Sequence, residues 1–236
     1  MNPLCHVSVI VPLAPGDAAW TQLTNDLAAL PAGAEVIFVG PKAPCGELAA
    51  DVVQPSGRRL RLAWMRSGRG RGRQMNAAAR AASRAFLWFL HADSRFGEAT
   101  LPALRRSLQA HPAALHYFDL EFAPGGPRLM PLNRWGAWVR SHLLGMPFGD
   151  QGFCIRRDLF LDLGGFDEDA AYGEDHLFVW QAQRAGIPLL CTGAGLSTSP
   201  RKYAERGWLR TTLKHQYLTY RQAVPEFLRT RGPFRT

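Results

Sequence analysis

The sequence predicts an α/β domain whose core is large enough to fold without disulfide bonds. Short apolar or β-branched runs alternate with segments of helical periodicity through the first half of the chain, which is the pattern of α/β proteins. At roughly 150 residues per domain, 236 residues correspond to one large domain or two small ones. An aromatic content of 11% and the lack of long polar tracts argue against a disordered chain.

The predicted strands are short apolar runs bounded by turn residues. The first is a β-branched run, VSVIVPL, that is followed closely by Pro15 and Gly16 and therefore predicts a buried strand. The run FLWFL at 86–90 leads directly into His-Ala-Asp-Ser. In chain order the predicted strands are residues 7–13, 35–40, 60–65, 86–90, 115–122, 153–156 and 189–192.

The predicted helices follow from apolar residues at helical spacing. Asp17 is the predicted N-cap of the first helix, because aspartate accepts hydrogen bonds from the free N–H groups there. Residues 75–85 are rich in alanine, which has the highest helix propensity. In chain order the predicted helices are residues 17–30, 75–85, 101–110, 132–144 and 176–185, with one or two amphipathic helices in 203–228.

The net charge of +9 is concentrated in two segments, 56–73 and 201–236. Together they hold 16 of the 28 basic residues and 2 of the 19 acidic ones. Two local basic patches indicate a polyanionic ligand or surface. A nucleotide diphosphate, a nucleic-acid backbone and anionic lipid head groups all fit this description.

The cysteines and the hydropathy pattern predict a cytoplasmic protein. No apolar run approaches the roughly 20 residues that span a bilayer, and the amino terminus lacks the pattern of a signal peptide. Cys5, Cys45, Cys154 and Cys191 are scattered, without a Cys-x-x-Cys pair. We expect Cys154 and Cys191, which lie in apolar runs, to be small buried hydrophobic residues.

The first candidate site is His91-Ala92-Asp93-Ser94, directly after an apolar strand. Ligands of open α/β sheets bind at the carboxyl ends of the strands. A carboxylate there suits a hard divalent cation that also bridges a diphosphate, and His91 would be a second ligand or a hydrogen-bond donor. The alternative is that Asp93 only caps the next helix.

Three glycine-containing segments are further candidates. The segment 68–76 (GRGRGRQMN) opens the alanine-rich helix and predicts an anion site, because free N–H groups and the helix dipole favour phosphate there. It could equally be a solvent-exposed arginine turn. The segment 149–152 (GDQG) and the pair Glu174-Asp175 place carboxylates near a turn and a helix start. One of them could act as a general base, or the pair could merely complement the helix dipole.

The order of these motifs resembles the family 2 glycosyltransferases. The segments are SVIVP, GRGRQMNAAARAA, FLHADSRF, PFGDQGFCIRRDLFLDLGGFDE and YGEDHLFVWQAQRAG. The R-Q-M-N and L-H-A-D motifs resemble more narrowly a small bacterial branch of single-domain enzymes. The resemblance implies a GT-A fold, with a mixed central sheet flanked by helices, over residues 1–200. A basic amphipathic helical tail, 201–236, would pack on this domain.

The resemblance also implies an activity and a set of site residues. Members transfer a sugar from a nucleotide-sugar donor to an acceptor hydroxyl, usually with inversion and with a divalent metal such as Mn²⁺ or Mg²⁺. Asp93 and His91 would hold the metal, and Asp175, with Glu174 beside it, would be the catalytic base. The donor-binding residues would be Arg69, Arg71, Arg73, Asn76, Asp150 and Gln151.

The sequence departs from the family pattern where the nucleobase is usually contacted. Gly40 and Pro41 stand in place of an acid, so the sequence does not indicate the base or the sugar. The alternative hypothesis is an inactive homologue or a basic binding module that engages nucleic acid. It ranks lower because the arginines lack the interleaved exposed aromatics of stacking platforms. The acceptor is unknown and could be lipid-linked, with the tail lying on an anionic membrane.

Overall fold

A computed structural model of the protein describes residues 2–42, 51–53, 59–170 and 172–230. The strands are β1 (Val7–Pro12), β2 (Glu35–Gly40), β3 (Asp51–Val53), β4 (Arg59–Arg66), β5 (Phe86–Phe89), β6 (Arg95–Phe96), β7 (Leu115–Phe122), β8 (Cys154–Arg156) and β9 (Leu189–Thr198). The helices are α1 (Trp20–Leu27), α2 (Arg71–Ala81), α3 (Thr100–Ala110), α4 (Met130–His142), α5 (Arg157–Asp162), α6 (Glu174–Arg184), α7 (Arg201–Arg206) and α8 (Trp208–Thr230).

The strands form one mixed sheet in the order β3-β4-β2-β1-β5-β8-β7-β9-β6. Strands β4, β2, β1 and β5 are parallel, so their carboxyl ends meet at one edge of the sheet. Strand β8 is antiparallel to both β5 and β7, so β7 runs in the same direction as β5. Strand β9 pairs parallel to β7 and carries β6 on its outer side. The prediction of a mixed central sheet is confirmed.

Two apolar cores cover the two faces of the sheet. On one face α1 and α3 pack against strand residues such as Trp88 and Phe118, which are fully buried. On the other face α2, α5 and α6 pack through residues such as Met75, Phe160 and Phe178. Helices thus flank the sheet on both sides, as predicted.

Helix starts differ from the predicted ones in a way that matters for the site. The N-cap role of Asp17 is wrong: α1 begins at Trp20, because the Asp17 carboxylate accepts a 3.0 Å hydrogen bond from the Ala19 N–H inside the preceding turn. Helices α2 and α6 begin earlier than predicted, directly after Gly70 (φ 111°) and Gly173 (φ 68°). These backbone angles require glycine. Arg71, Glu174 and Asp175 therefore all lie in first helical turns.

Several elements are absent from the sequence prediction. Strands β3 and β6 and helix α5 have three, two and six residues, which is too short for a period to be recognised. Strand β9 continues to Thr198, six residues beyond its predicted end. Gly193 (φ 75°) accompanies a shift in the register between β7 and β9, and this irregularity hides the strand from an alternation pattern.

The basic tail folds as two helices, α7 and α8, one of the two predicted alternatives. Trp208 donates a hydrogen bond from its indole nitrogen to Asn133 of α4. Gln222 contacts the start of α6 through the His176 ring, at 3.0 Å. These contacts place α8 beside α4 and α6. The domain boundary at residue 200 stays a prediction, and residues 231–236 lie outside the described part of the chain.

Candidate active site

A cleft runs along the edge where β1 and β5 end. It consists of two adjoining cavities of about 670 and 460 Å³, both of which are lined by Asp93 and by the loop that follows β1. The smaller cavity is also bordered by the start of α2 and by α7. Arginine and lysine side chains from two separate segments line it: Arg69, Arg71, Arg201 and Lys202. The cleft therefore joins two carboxylates, Asp93 and Asp17, to a cationic wall.

Asp93 follows β5 and faces this cleft. Its Oδ2 accepts hydrogen bonds from the Thr198 hydroxyl at 3.2 Å and from the Ser199 N–H at 3.4 Å. Both donors come from the end of β9, so the sheet itself orients the carboxylate. An oriented carboxylate at a strand end is a hard oxygen donor, which fits Mg²⁺ or Mn²⁺ whose other ligands come from a diphosphate.

His91 points into the same cleft and is held by Arg71. The Arg71 guanidinium donates to Nε2 of His91. Burial, reinforced by the positive charge of Arg71, holds the pKa of His91 well below its usual value. The ring is therefore neutral at pH 7, and because Nε2 accepts this hydrogen bond, Nδ1 carries the proton. His91 could bind a metal only through Nε2, after Arg71 has moved away.

The three arginines of the glycine-rich segment diverge in their contacts. Arg69 lines the cleft just before α2. Arg71 also lines the cleft, and its Nε lies 3.4 Å from Glu174 Oε1. Arg73 lies two residues along the helix and forms an ion pair with Glu168 at 3.3 Å. Two of the three predicted donor-binding arginines thus border the cleft, and the third is paired elsewhere.

Asp175 is buried in the first turn of α6. Its Oδ2 accepts a 2.6 Å hydrogen bond from the Gly149 N–H, and its Oδ1 lies 3.6 Å from the His176 ring nitrogen. Burial alone would raise the pKa of Asp175, but His176, Arg71 and the Gly149 N–H outweigh it and hold the pKa below the usual value. The carboxylate is therefore ionised at neutral pH. Glu174, beside it, is the counterion of Arg71.

Asn76 and Gln151 are buried within the protein. The Asn76 amide donates to the Phe166 carbonyl at 2.7 Å and accepts from the Phe166 N–H at 2.9 Å, which joins α2 to the loop before α6. Gln151 is 0% exposed. Its Oε1 accepts from Arg140, Ser141 and the Phe148 N–H, and its Nε2 donates to the Phe118 carbonyl. The structure does not bring these two predicted donor-binding residues to the cleft.

Asp150 borders a third cavity, of about 540 Å³, between α4 and α8. Its Oδ1 is inaccessible to solvent and has no hydrogen-bond partner among the described residues. Burial raises the pKa of Asp150, although the charge of Arg140 opposes the effect. The Arg140 guanidinium lies 3.0 Å above the Phe148 ring, which stacks on His176 with 3.6 Å between centroids. This cavity therefore ends close to Asp175.

Sequence reasoning missed four residues of the site. Arg201 and Lys202 line the smaller cavity from α7, and the density of positive charge in the tail was the available signal. Arg140 and Phe148 form the end of the third cavity. Arg140 lies in no motif, and Phe148 lies in the PFGDQG segment without a signal for this role, because both roles depend on the packing of α4 against the turn at 149–151.

A separate group of possible metal ligands lies where β7, α4 and β9 meet. Asp119, His142 and Cys191 offer ligand atoms that all lie within 4.8 Å of one another. The prediction that Cys154 is buried is confirmed. The same prediction for Cys191 is wrong, because this residue is only partly buried. His91 and Asp93 do not belong to any such three-residue group within the described residues. Metal binding at His91 and Asp93 stays a prediction.

No helix in the described part of the chain is both long and apolar enough to cross a bilayer.

We expect Gly149→Ala to disturb the site more than the fold. A Cβ at this position would lie 2.8 Å from Arg71 Nη2 and 2.9 Å from Asp175 Oδ2. Both groups would have to move by a fraction of an ångström, and misplacement on this scale should lower the catalytic rate of this site about tenfold or more. The control is Gly97→Ala, whose Cβ would meet only an ordinary 3.9 Å contact with Thr100. Equal rates for the two variants would contradict the packing described.

Several solved structures share this architecture. Residues 1–349 of TarS from S. aureus match with a TM-score of 0.61 and 21% identity, covering 82% of this chain and 60% of that one. TarS in complex with UDP-GlcNAc matches at 0.57 and 22%, covering 82% and 58%. The mannosyltransferase PcManGT from Pyrobaculum calidifontis, in complex with GDP-Man and Mn²⁺, matches at 0.58 and 19%, covering 81% and 56%. This chain spans about three fifths of each of these compared chains, and 36% of the longer TarS structure.

The fold is therefore of the GT-A type, which the chain shares with these solved structures. The sequence profile described as Glycosyl transferase family 2 matches residues 23–163, more than half of the chain. The chain therefore belongs to glycosyl transferase family 2. No protein of curated function matches its sequence significantly.

Proposed function

We propose that this protein transfers a sugar from a nucleotide-sugar donor to an acceptor hydroxyl, with inversion at the anomeric carbon. The observation that carries the proposal is that two carboxylates with different chemical surroundings lie near the same edge of the sheet. Asp93 faces a cationic cleft at the ends of β1 and β5, and Asp175 lies in the first turn of α6, where the charge of Arg71 acts on it. One group suits a metal-bound diphosphate, and the other suits deprotonation of a hydroxyl.

The donor would lie with its diphosphate along the start of α2. Arg69, Arg71 and Lys202 converge on the smaller cavity, and guanidinium groups form charge-assisted hydrogen bonds with phosphate oxygens. The first N–H groups of α2 and its dipole add to the same positive potential. Glu174 pairs with the Nε of Arg71 at 3.4 Å and so holds the guanidinium at the wall of this cavity. The sugar-bearing end would then point toward Asp175.

Mn²⁺ or Mg²⁺ would be held by Asp93, with Nε2 of His91 as a second ligand once Arg71 turns from it to the diphosphate. When bound, the ion would neutralise negative charge on the diphosphate leaving group. The position of Asp93 does not depend on the ion, because hydrogen bonds from the end of β9 orient its carboxylate. The identity of the metal is part of the proposal and follows from the oxygen-rich chemistry of the donor.

Asp175 would act as the general base. It is ionised at neutral pH, and the Gly149 N–H holds one of its oxygens in place at 2.6 Å. An acceptor hydroxyl that loses its proton to this carboxylate attacks the anomeric carbon from the face opposite the diphosphate, and the nucleotide diphosphate leaves. Gln151 and Asn76 support this machinery from the interior, since they fix the turn at 149–151 and the loop before α6. The scattered cysteines favour a cytoplasmic location.

We expect a nucleotide diphosphate to raise the melting temperature in the presence of Mn²⁺. A ligand at about 100 times its dissociation constant adds about 2.7 kcal/mol to the free energy of unfolding. For a protein of this size that corresponds to a rise of about 5 to 10 °C. Thermal unfolding with UDP, GDP, ADP and CDP, each with and without Mn²⁺, would show which nucleobase is accepted.

The metal-dependent part of this shift should disappear in Asp93→Asn. The matched control is Asp169→Asn, which removes the same charge from an exposed side chain. The absence of any shift with all four nucleotides would overturn donor binding. A shift in Asp93→Asn that equals that of the wild type would overturn the role of Asp93 alone.

A further inference from the structure

The exposed large apolar side chains of the described residues are confined to two helices and the turns beside them. Trp135 and Leu143 are each 66% exposed, and Tyr220 is 69% exposed. Monomeric proteins rarely present apolar patches of this kind unless they serve an interaction. The full set is Leu129, Leu132, Trp135, Trp138, Leu143, Leu144, Leu209, Leu213, Tyr217 and Tyr220.

These side chains form outward stripes on α4 and α8. On α8 the stripe consists of positions 209, 213, 217 and 220, a spacing that keeps all four on one face of a helix. On α4, Met130, Ala137 and Ser141 are buried against the domain, while Leu132 and the two tryptophans face outward. Neither stripe contributes to the core. Both helices therefore present apolar faces to whatever lies outside the domain.

The surroundings of the stripes are strongly basic. Residues 124–148 hold three arginines and no acid, and residues 201–222 hold six basic residues and one glutamate. Arg210, Lys214 and Arg221 follow the apolar positions of α8 along its length. Two copies of this surface would repel each other, whereas an anionic bilayer would attract it. Tryptophan, tyrosine and leucine flanked by lysine and arginine are typical of helices that lie in a membrane interface.

A groove between the two helices leads from this surface to the proposed reaction centre. It measures about 540 Å³, and its lining runs from Leu132, Leu144 and Tyr220 inward to Phe148 and Asp150. At its inner end the unpartnered Oδ1 of Asp150 lies out of solvent. A buried polar atom of this kind usually has a hydrogen-bond partner, and an acceptor hydroxyl would provide one. The preceding residue, Gly149, donates its N–H to the carboxylate of Asp175.

We propose that α4 and α8 seat the enzyme on an anionic membrane, and that the groove between them binds an amphiphilic acceptor. The hydroxyl-bearing head of the acceptor reaches Asp150, and its apolar part remains between the outward faces of the two helices. The inference that the bound molecule is an acceptor rests on the proposed glycosyl transfer. The exposed apolar stripes and the groove do not depend on that proposal.

Vesicle flotation of the full chain tests the membrane surface. Wild-type protein should float with vesicles of phosphatidylcholine containing about 30% phosphatidylglycerol, and far less with phosphatidylcholine alone. The double variant Trp135→Glu/Leu213→Glu should bind the anionic vesicles at least about tenfold more weakly, because it places two charges in the apolar stripes. The control is Arg105→Glu, which changes the net charge by the same amount on the exposed side of α3. Its binding should stay close to that of the wild type.

Three outcomes would overturn the membrane surface. The first is that wild-type protein stays in solution with anionic vesicles. The second is that the double variant and the control lose binding equally. The third is a wild-type dimer in size-exclusion chromatography that the double variant dissociates, without vesicle binding by either protein. That result would assign the stripes to a second copy of the chain.

Binding of decyl β-glucoside below its micelle concentration tests the groove. Gly136 lines the groove, and a Cβ there would meet no atom within 4 Å, so Gly136→Leu fills the groove without a clash at its base. Calorimetry should show binding to the wild type and loss of binding in Gly136→Leu. Equal binding by both proteins, or none by the wild type, would overturn the groove assignment. The nucleotide-induced melting shift, measured without lipid, should be the same in all these variants, so failure of donor binding would be recognised separately.

Discussion

Asp175→Asn should reduce sugar transfer by about 10²- to 10⁴-fold, which is the usual contribution of a positioned general base. The asparagine side chain can keep the hydrogen bond from the Gly149 N–H through its carbonyl oxygen, so the turn at 149–151 should keep its position. It cannot accept the proton of the acceptor hydroxyl. The proposed donor-binding residues Arg69, Arg71 and Lys202 are unchanged, so donor binding should persist.

The measurement is the initial rate of transfer or of donor hydrolysis, together with the nucleotide-induced melting shift. The control is Asp162→Asn, which removes a charge from an exposed residue at the end of α5. A normal rate in Asp175→Asn would show that another group takes the proton. Asp150, whose carboxylate also borders the acceptor groove, would then be the next residue to replace.

Gln151→Ala should lower the free energy of unfolding by about 4 kcal/mol, one of the larger effects expected of a single substitution. The side chain is fully buried, and its amide pairs with Arg140, Ser141 and two backbone groups. Truncation leaves the Phe118 carbonyl and the Phe148 N–H without partners in the interior. The melting temperature should fall by about 8 to 16 °C.

Two further variants separate the hydrogen bonds of Gln151 from its volume. Gln151→Glu keeps the shape and the acceptor oxygen but cannot, when ionised, donate to the Phe118 carbonyl, so it should be destabilising as well. Gln183→Ala removes an exposed amide that makes one hydrogen bond, to the Gly145 carbonyl, and should cost less than about 1 kcal/mol. Chemical denaturation measures all three. A loss in Gln151→Ala no larger than that in Gln183→Ala would contradict the structural role.

Much of the fold could be predicted because short sequence patterns indicate most strands and helices. The bounds of β2 and β7 are those predicted, since each is an apolar run between turn residues. The start of α2 was less accessible, because alanines mark its middle while the glycines and arginines at 70–73 resemble a loop. The short strands β3 and β6 exist only because neighbouring strands offer them hydrogen bonds.

The candidate site was predicted in its carboxylates more fully than in its cations. Asp93 and Asp175 follow a strand and begin a helix, and such positions are recognisable from the sequence. The arginines of one short segment could not be told apart. Because Arg71 and Arg73 lie two residues apart at the start of α2, they point to opposite sides of the helix. One therefore reaches His91, and the other reaches Glu168.

By itself the sequence determined the α/β class, the order of the motifs and, through that order, the family. These properties depend on local patterns and on the order of segments, and both are visible in the amino-acid sequence. Only the tertiary structure decided which side chains share a cleft. It brings Lys202 beside Arg69, buries Gln151 and opens a groove between α4 and α8. The reason is physical: contacts between residues far apart in the chain depend on how the helices pack on both faces of the sheet, and no local pattern records that packing.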